Sequence, residues 1–487
     1  MSEHFDVVVV GAGLSGIGAG YHLQTRAPGR SYVILEGRDR LGGTWDLFRY
    51  PGVRSDSDMF TLGFAFRPWT ESKAIADGPS ILRYLTDTAR DYRIDRHIRY
   101  GHRVTRAGWS TADACWTVTA ESGDGEARFT CNFLYLCAGY YRYDRGYSPE
   151  FPGADRFTGR IVHPQFWTDD IDYAGKQVVV IGSGATAVTL VPELARQAAH
   201  VVMLQRSPTY IVSRPSEDAV ANRFRRWLPS RLAYALTRIK NVLLQQYFYR
   251  LARKHPEKAK AGIVDLVRKQ LGSDYDVGTH FTPRYNPWDQ RLCLVPDSDL
   301  FESIRHGKSE VVTDTIESFT ESGIQLASGR ELRADLIVTA TGLDVQMVGG
   351  LALSVDGEAV EPSTRYIYKG MMFSGVPNLA FCFGYTNASW TLKADLTSRY
   401  VARLLNAMRR RGVRQVTPQP NAPVEPMPFV DFTSGYIQRV AETLPKQGAR
   451  KPWRLNQNYA KDLMALRFGR VDDELEFSNP APKRRAA

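Results

Sequence analysis

Two segments of this chain join an apolar β-run to a glycine-rich turn and then a helical pattern, and no other feature restricts the fold as tightly. The first runs from Asp6-Val-Val-Val-Val10 into Gly11-Ala-Gly13-Leu-Ser15-Gly16 and on through Ile17 to Gln24. The second runs from Gln177-Val-Val-Val-Ile181 into Gly182-Ser183-Gly184-Ala185-Thr186-Ala187 and a helical stretch ending near Ala198. In such a unit the first two glycines let the backbone turn tightly and approach a pyrophosphate. The third small residue sets the helix–strand distance, and the helix N-terminus presents amides and a positive dipole. The chain therefore reads as α/β, with two Rossmann-like dinucleotide-binding domains. Its 487 residues leave room for both and for an insertion, at about 100–200 residues per domain.

Charge separates the two units. The strand Ser31 to Leu35 ends in Glu36, whose carboxylate can accept both ribose hydroxyls and repels a 2′-phosphate, so the first site suits FAD or NAD(H). The loop from Arg38 to Asp58, with turns at Gly42-Gly43 and Pro51-Gly52 and flat faces at Trp45, Phe48 and Tyr50, can wrap an isoalloxazine ring and favours FAD. The strand of the second unit, Val201 to Leu204, ends instead in Gln205-Arg206-Ser207. A guanidinium and a hydroxyl there suit the 2′-phosphate of NADPH. FAD and NADPH in one chain point to hydride transfer into flavin, and without a Cys-x-x-Cys pair the next acceptor is expected to be oxygen.

Composition narrows the rest. Hydrophobic residues at 43% and charged residues at 24% suit a globular chain with a sizeable core. The net charge of +11 is scattered, and attracts polyanions in general without a motif for nucleic acid. The five cysteines form no pair or cluster with ligand spacing, which argues against a zinc site, a disulfide framework or dithiol chemistry; no metal is expected. The apolar run starting at Phe5 leaves no room for a signal peptide, so a cytoplasmic, unprocessed protein is expected. Gly370 to Leu392 is free of charge but carries three Gly, one Pro and two Asn, and reads as core strand and loop rather than a membrane span. The pattern divides as residues 1–145 and 346–478 for the FAD domain, 146–220 and 291–345 for the NADPH domain, 221–290 for a helical insertion, and 479–487 for a disordered tail.

Two longer motifs carry a family resemblance. Phe157-Thr-Gly159-Arg-Ile-Val-His163-Pro-Gln-Phe-Trp167 matches FxGxxxHxxxW, with Thr168 where Pro or Asp is usual. Gly42-Gly43-Thr44-Trp45-Asp46-Leu47-Phe48-Arg49-Tyr50-Pro51-Gly52-Val53-Arg54-Ser55-Asp56 matches [AG]GxWxxxx[FY]P[GM]xxxD at every specified position. The chain resembles the flavin monooxygenases of the Baeyer–Villiger type. The resemblance implies that NADPH reduces FAD and that oxygen gives a C4a-peroxyflavin, which turns a ketone into an ester or oxidises sulfides and thioamides. It places the catalytic arginine at Arg291, preceded by Gln290 where relatives often have Lys, and a carboxylate partner at Asp56. Flavin contacts fall on the Thr44 to Asp56 loop, and adenine contacts on the backbone at Val104. His163 falls in an interdomain linker, and Trp453 matches a C-terminal Trp near the nicotinamide. The rival readings are an N- or S-oxygenating flavin monooxygenase without ketone activity, an NADPH oxidase, and a non-catalytic NADPH-sensing flavoprotein. The basic, apolar stretch 223–254 reads as a helix packed over the active site, or as a peripheral contact with an anionic membrane face.

Overall fold

The computed structural model describes residues 2–430 and 434–480. The tail expected to be disordered lies, from residue 481 onward, outside the described residues. Valine-rich Glu3–Val10 forms the centre of a nine-stranded sheet, parallel to Tyr32–Leu35 on one side and to Gly125–Leu136 on the other. Val7, Val8 and Val9 have no solvent contact, as a strand covered on both faces requires. Leu379–Phe381 returns from late in the chain to pair in parallel with Leu134 to Leu136. Cys115–Ser122 and Arg103–Ser110 extend this sheet by antiparallel pairing from Gly125–Leu136, while Ala352–Val355 and Ile98–Arg99 join it in parallel towards its two edges.

The second sheet has five parallel strands, in the order Ser309–Thr313, His200–Gln205, Gln177–Ile181, Leu336–Thr339 and Arg160–Val162. The chain crosses between the sheets twice, through Tyr141–Gly146 and Leu343–Val345, and these crossings pair with each other as an antiparallel ribbon. His163 braces this joint: its Nε2 lies 3.1 Å from the Gly342 carbonyl oxygen, and its Nδ1 accepts from the Gln165 amide.

Between strands of the second sheet sit the helices Ala219–Trp227, Ser230–Lys254 and Pro256–Leu271. The long middle helix is anchored by Tyr234 and Val242 in apolar clusters and by a buried arginine. Arg238 is buried and donates to the carbonyls of Phe60 and Gly63, each at 2.7 Å. Gly370 to Leu392 becomes short strands, a loop and the first turn of the helix Trp390–Arg411. No helix among the described residues is long and apolar enough to cross a membrane.

Candidate functional site

A cleft of about 620 Å³ opens where the two sheets face each other, within the usual ~300–1,000 Å³ of a small-molecule site. Its floor is the first glycine turn. Gly11 has φ +99°, and a Cβ there would lie 2.8 Å from the Cys137 carbonyl oxygen. A Cβ on Gly16 would lie 1.8 Å from the Gly11 carbonyl oxygen, so Gly16 acts by letting helix Leu14–Arg26 sit against the turn and does not itself line the cleft. Gly13 and Gly43 face one another backbone to backbone; a Cβ on Gly43 would meet the Gly13 Cα at 3.1 Å. The trough is thus walled by main chain at the start of a helix, which suits a pyrophosphate.

Glu36 sits at the rim with Oε2 accepting from the Ala12 amide at 2.7 Å and Oε1 from the Arg38 amide at 3.0 Å. Burial pushes its carboxyl up, against the pull of those amides. Each oxygen keeps a lone pair for a ribose hydroxyl. Val104 lines the same end of the cleft with Arg103 and Thr105.

The Thr44 to Asp56 loop divides its labour. Thr44, Trp45, Arg54, Ser55 and Asp56 line the cleft. Two residues expected to contact flavin do not line it. Asp46 is buried and holds Arg38 at 2.6 Å and Arg49 at 3.2 Å, so its carboxylate is spent on bracing the loop. Leu47 packs with Phe48 and Tyr50 against the apolar core of the second sheet. The signature loop therefore bonds the two nucleotide units together as well as edging the cleft. Arg54 donates to Asp299 at 2.5 Å, yet its Nε and Nη2 are buried and have no partner among the described residues. Buried donors of this kind call for a ligand acceptor.

Across the cleft, Ala185 and Thr186 start the helix Ala185–Leu194 and line the opposite wall with Arg291. The Arg291 side chain is exposed, and the space it is exposed to is the cleft interior. Burial lowers the affinity of its guanidinium for the proton, but the Asp56 carboxylate and the phenols of Tyr140, Tyr141 and Tyr436 outweigh this and leave it raised. Burial raises Asp56, against the two guanidinia of Arg291 and Arg54. Sequence reasoning missed the frame around this cation. The Tyr140 and Tyr141 hydroxyls lie 2.6 Å apart, Tyr140 stacks on Trp390 at 5.2 Å between centroids, and the Trp390 indole donates to Ser15 Oγ at 2.7 Å. The available signal was position: Gly139-Tyr140-Tyr141 follows the carboxyl end of a parallel strand beside the glycine turn, where ligands of open α/β sheets bind.

The remaining predicted residues gather away from this cleft, at the carboxyl edge of the second sheet. Gly182 turns with φ +136°, and Gly184 begins the helix. Ser183 Oγ lies 2.8 Å from Thr209 Oγ1 and donates to the Ser207 carbonyl at 3.2 Å, while the Arg206 side chain is exposed beside them. Ala187 is buried within the helix and makes no wall of the cleft. Gln205 is turned inward, donating to the His280 carbonyl and Thr313 Oγ1, which leaves Arg206 as the group aimed outward. These residues fit an adenosine 2′-phosphate. One expectation is overturned: Trp453 is fully buried, its indole donates to Glu474 at 2.6 Å, and its ring meets Tyr366 and Tyr368, so it lines no cofactor site.

The chain's residues 74–348 match the family model described as flavin-binding monooxygenase-like, and residues 9–77 match that of an NAD(P)-binding Rossmann-like domain. It is 58% identical over 486 residues to the FAD-containing monooxygenase EthA of Mycobacterium tuberculosis, covering 99% of each chain. It is 48% identical over 477 residues to the probable FAD-binding monooxygenase AlmA of Acinetobacter baylyi, covering 97% of this chain and 96% of that one. Among solved structures, a steroid monooxygenase bound to NADP superposes with TM-score 0.76 at 24% identity, covering 98% of this chain and all of that one. Cyclohexanone monooxygenase follows with TM-score 0.75 at 22% identity, over 98% of this chain. The glycine trough, the arginine facing it across the cleft and these full-length matches together show that the chain belongs to the class B flavin-binding monooxygenases.

Proposed function

We propose that this flavin monooxygenase is of the Baeyer–Villiger type, inserting one atom of O2 beside a ketone carbonyl to give an ester and also oxidising sulfides or thioamides. The observation that carries this reading is Arg291, a cation that lines the cleft together with Asp56, Tyr140 and Tyr141, whose charge and phenols raise its affinity for the proton. FAD, reduced by NADPH, supplies the activated oxygen. Gly11, Gly13, Ser15 and Glu36 hold its diphosphate and ribose, with Thr44, Trp45, Ser55 and Val104 along its length. Gly182, Ser183, Gly184, Arg206 and Ser207 hold NADPH, residues 146–220 and 291–345 forming its domain. Thr186 and Ala185 bring the second helix to the shared wall.

Insertion of oxygen beside a carbonyl builds negative charge on oxygen, and the Arg291 guanidinium, fixed in the cleft, would stabilise that charge without having to reorganise. Asp56 orients Arg291, while Tyr140 and Tyr141, whose phenols burial keeps protonated, limit where the guanidinium can swing. Sulfur oxidation needs no such cation, because the sulfur is the electron donor.

The test compares NADPH-dependent conversion of phenylacetone and of methyl phenyl sulfide by Arg291→Ala, with products assayed by gas chromatography. Ester formation is expected to fall by about 10²–10³ or more, with flavin content unchanged and sulfoxide formation less affected. Ester yield equal to that of the parent enzyme would remove Arg291 from this role. Sulfoxide without any ester from the parent enzyme would favour the purely S-oxygenating reading.

A further inference from the structure

The helix Ser230–Lys254 buries Ala233, Tyr234, Val242 and Ala252 but leaves most of its large apolar side chains outside. Its buried residues include Thr237, Arg238 and Gln246, while Leu232, Leu236, Ile239, Leu243, Tyr247 and Leu251 stand exposed in one stripe at helical spacing. Ile239, Leu243 and Tyr247 are 57%, 62% and 60% exposed, and Trp227, on the helix before, is 81% exposed. Of the large apolar side chains exposed among the described residues, most lie on this one insertion. A stripe about five turns long is well beyond the scattered apolar residues of an ordinary surface.

Charge identifies what covers it. Residues 219–254 contain no Asp or Glu. Arg226, Arg231, Arg250 and Lys254 are exposed along the flanks of the stripe. Two copies of the chain pairing through this face would set two wholly cationic helices against each other, since a two-fold interface brings the same patch together from both sides. An apolar stripe with aromatic residues and a cationic border instead matches the depth profile of a bilayer whose headgroups are anionic. The inner side of the same helix reaches the active site: Val242 packs with Tyr385 and Leu392, and Tyr385 lines the cleft.

We propose that helix Ser230–Lys254 docks the enzyme on an anionic lipid surface, with Ile239, Leu243 and Tyr247 inserted among the acyl chains and the flanking arginines on the headgroups. A membrane-seated enzyme of this geometry draws apolar substrates from the lipid phase.

The test is sedimentation of FAD-loaded enzyme with vesicles of equal parts phosphatidylglycerol and phosphatidylcholine, and with vesicles of phosphatidylcholine alone. The parent enzyme is expected to pellet with the anionic vesicles, and to pellet less as salt rises toward about 0.5 M. The double variant Leu243→Glu, Tyr247→Glu should lose about tenfold or more of this binding, and Arg231→Glu, Arg250→Glu should lose the preference for anionic lipid. Both variants should keep the flavin spectrum and melting temperature of the parent, because the altered side chains are exposed. Failure of the parent to pellet with anionic vesicles at low salt overturns the proposal. So does a parent that is dimeric by light scattering and becomes monomeric with Leu243→Glu, Tyr247→Glu, since the face then belongs to a second copy.

Discussion

Arg206 and Arg291 show how differently two arginines can be legible. Arg206 follows the strand His200–Gln205 in a unit whose geometry is local, so its proposed role as a 2′-phosphate partner rests on position alone. Its side chain is exposed and its neighbour Gln205 is turned inward. Replacing it, Arg206→Ala, removes a charge-assisted contact of about 1.5–3 kcal/mol. The KM for NADPH should therefore rise by roughly ten- to a hundredfold, with KM for NADH and kcat little changed. Steady-state kinetics with both coenzymes checks this, and an equal loss with NADH would mean that Arg206 acts on something other than the phosphate. Arg291, by contrast, has meaning only through Asp56, Tyr140 and Tyr141, which come from other parts of the chain. Motif resemblance pointed at Arg291 and Asp56, but no spacing rule pointed at Tyr140, Tyr141 or Trp390. Trp453 failed in the opposite sense: the family resemblance placed it near the nicotinamide, and a carboxylate at Glu474 and two tyrosines made it core.

At the scale of elements, the glycine turns were the most readable part of the fold, because their constraint is steric and spans only a few residues. Gly16 shows the force of it. A methyl group 1.8 Å from the Gly11 carbonyl oxygen cannot be accommodated unless the helix Leu14–Arg26 moves. Gly16→Ala should therefore yield protein with much reduced flavin content and a melting temperature lowered by several degrees, from a cost of about 1–3 kcal/mol. Absorbance at the flavin band and thermal unfolding test it; full flavin occupancy would show that the helix can shift freely. Ala187, at the matching place in the second unit, already carries a Cβ, so that helix is built to stand off its turn. The signature loop was read as a flavin wrapper, and Trp45, Phe48 and Tyr50 do line the cleft, but the loop has a second task. Phe48 and Tyr50 join the core of the second sheet and Asp46 braces Arg38 and Arg49, roles that depend on a surface supplied by residues far along the chain.

Across the whole molecule, the first sheet is closed by chain from both ends. His22 on the first helix lies 2.6 Å from Asp395 on the helix Trp390–Arg411. Burial holds the His22 imidazole below its usual value. Asp395 is buried too, which alone would raise it, but the His22 contact and the Arg399 guanidinium keep it at about 2. Both groups are lowered by folding, so the unfolded chain binds protons at higher pH than the native one. Stability due to His22 is complete above pH 6.5, its ordinary value, and is lost as pH falls below that. The Asp395 contribution goes between its ordinary 3.8 and about 2. The His22 loss should be at most about 1.4 kcal/mol per pH unit, the limit for one proton. Melting temperatures from pH 7.5 to pH 5 should decline, and His22→Gln should flatten that decline; an unchanged slope would place the titration elsewhere. The sequence by itself determined the two strand–turn–helix units and the contrast between Glu36 and Arg206 at their second strands, because glycine sterics, strand burial and charge at a strand end act over short stretches of chain. Tertiary structure alone decided which side chains surround Arg291, which aromatics became core, and that the long inserted helix leaves most of its large apolar side chains outside. Those outcomes depend on what each surface meets, and its partners lie tens to hundreds of residues away.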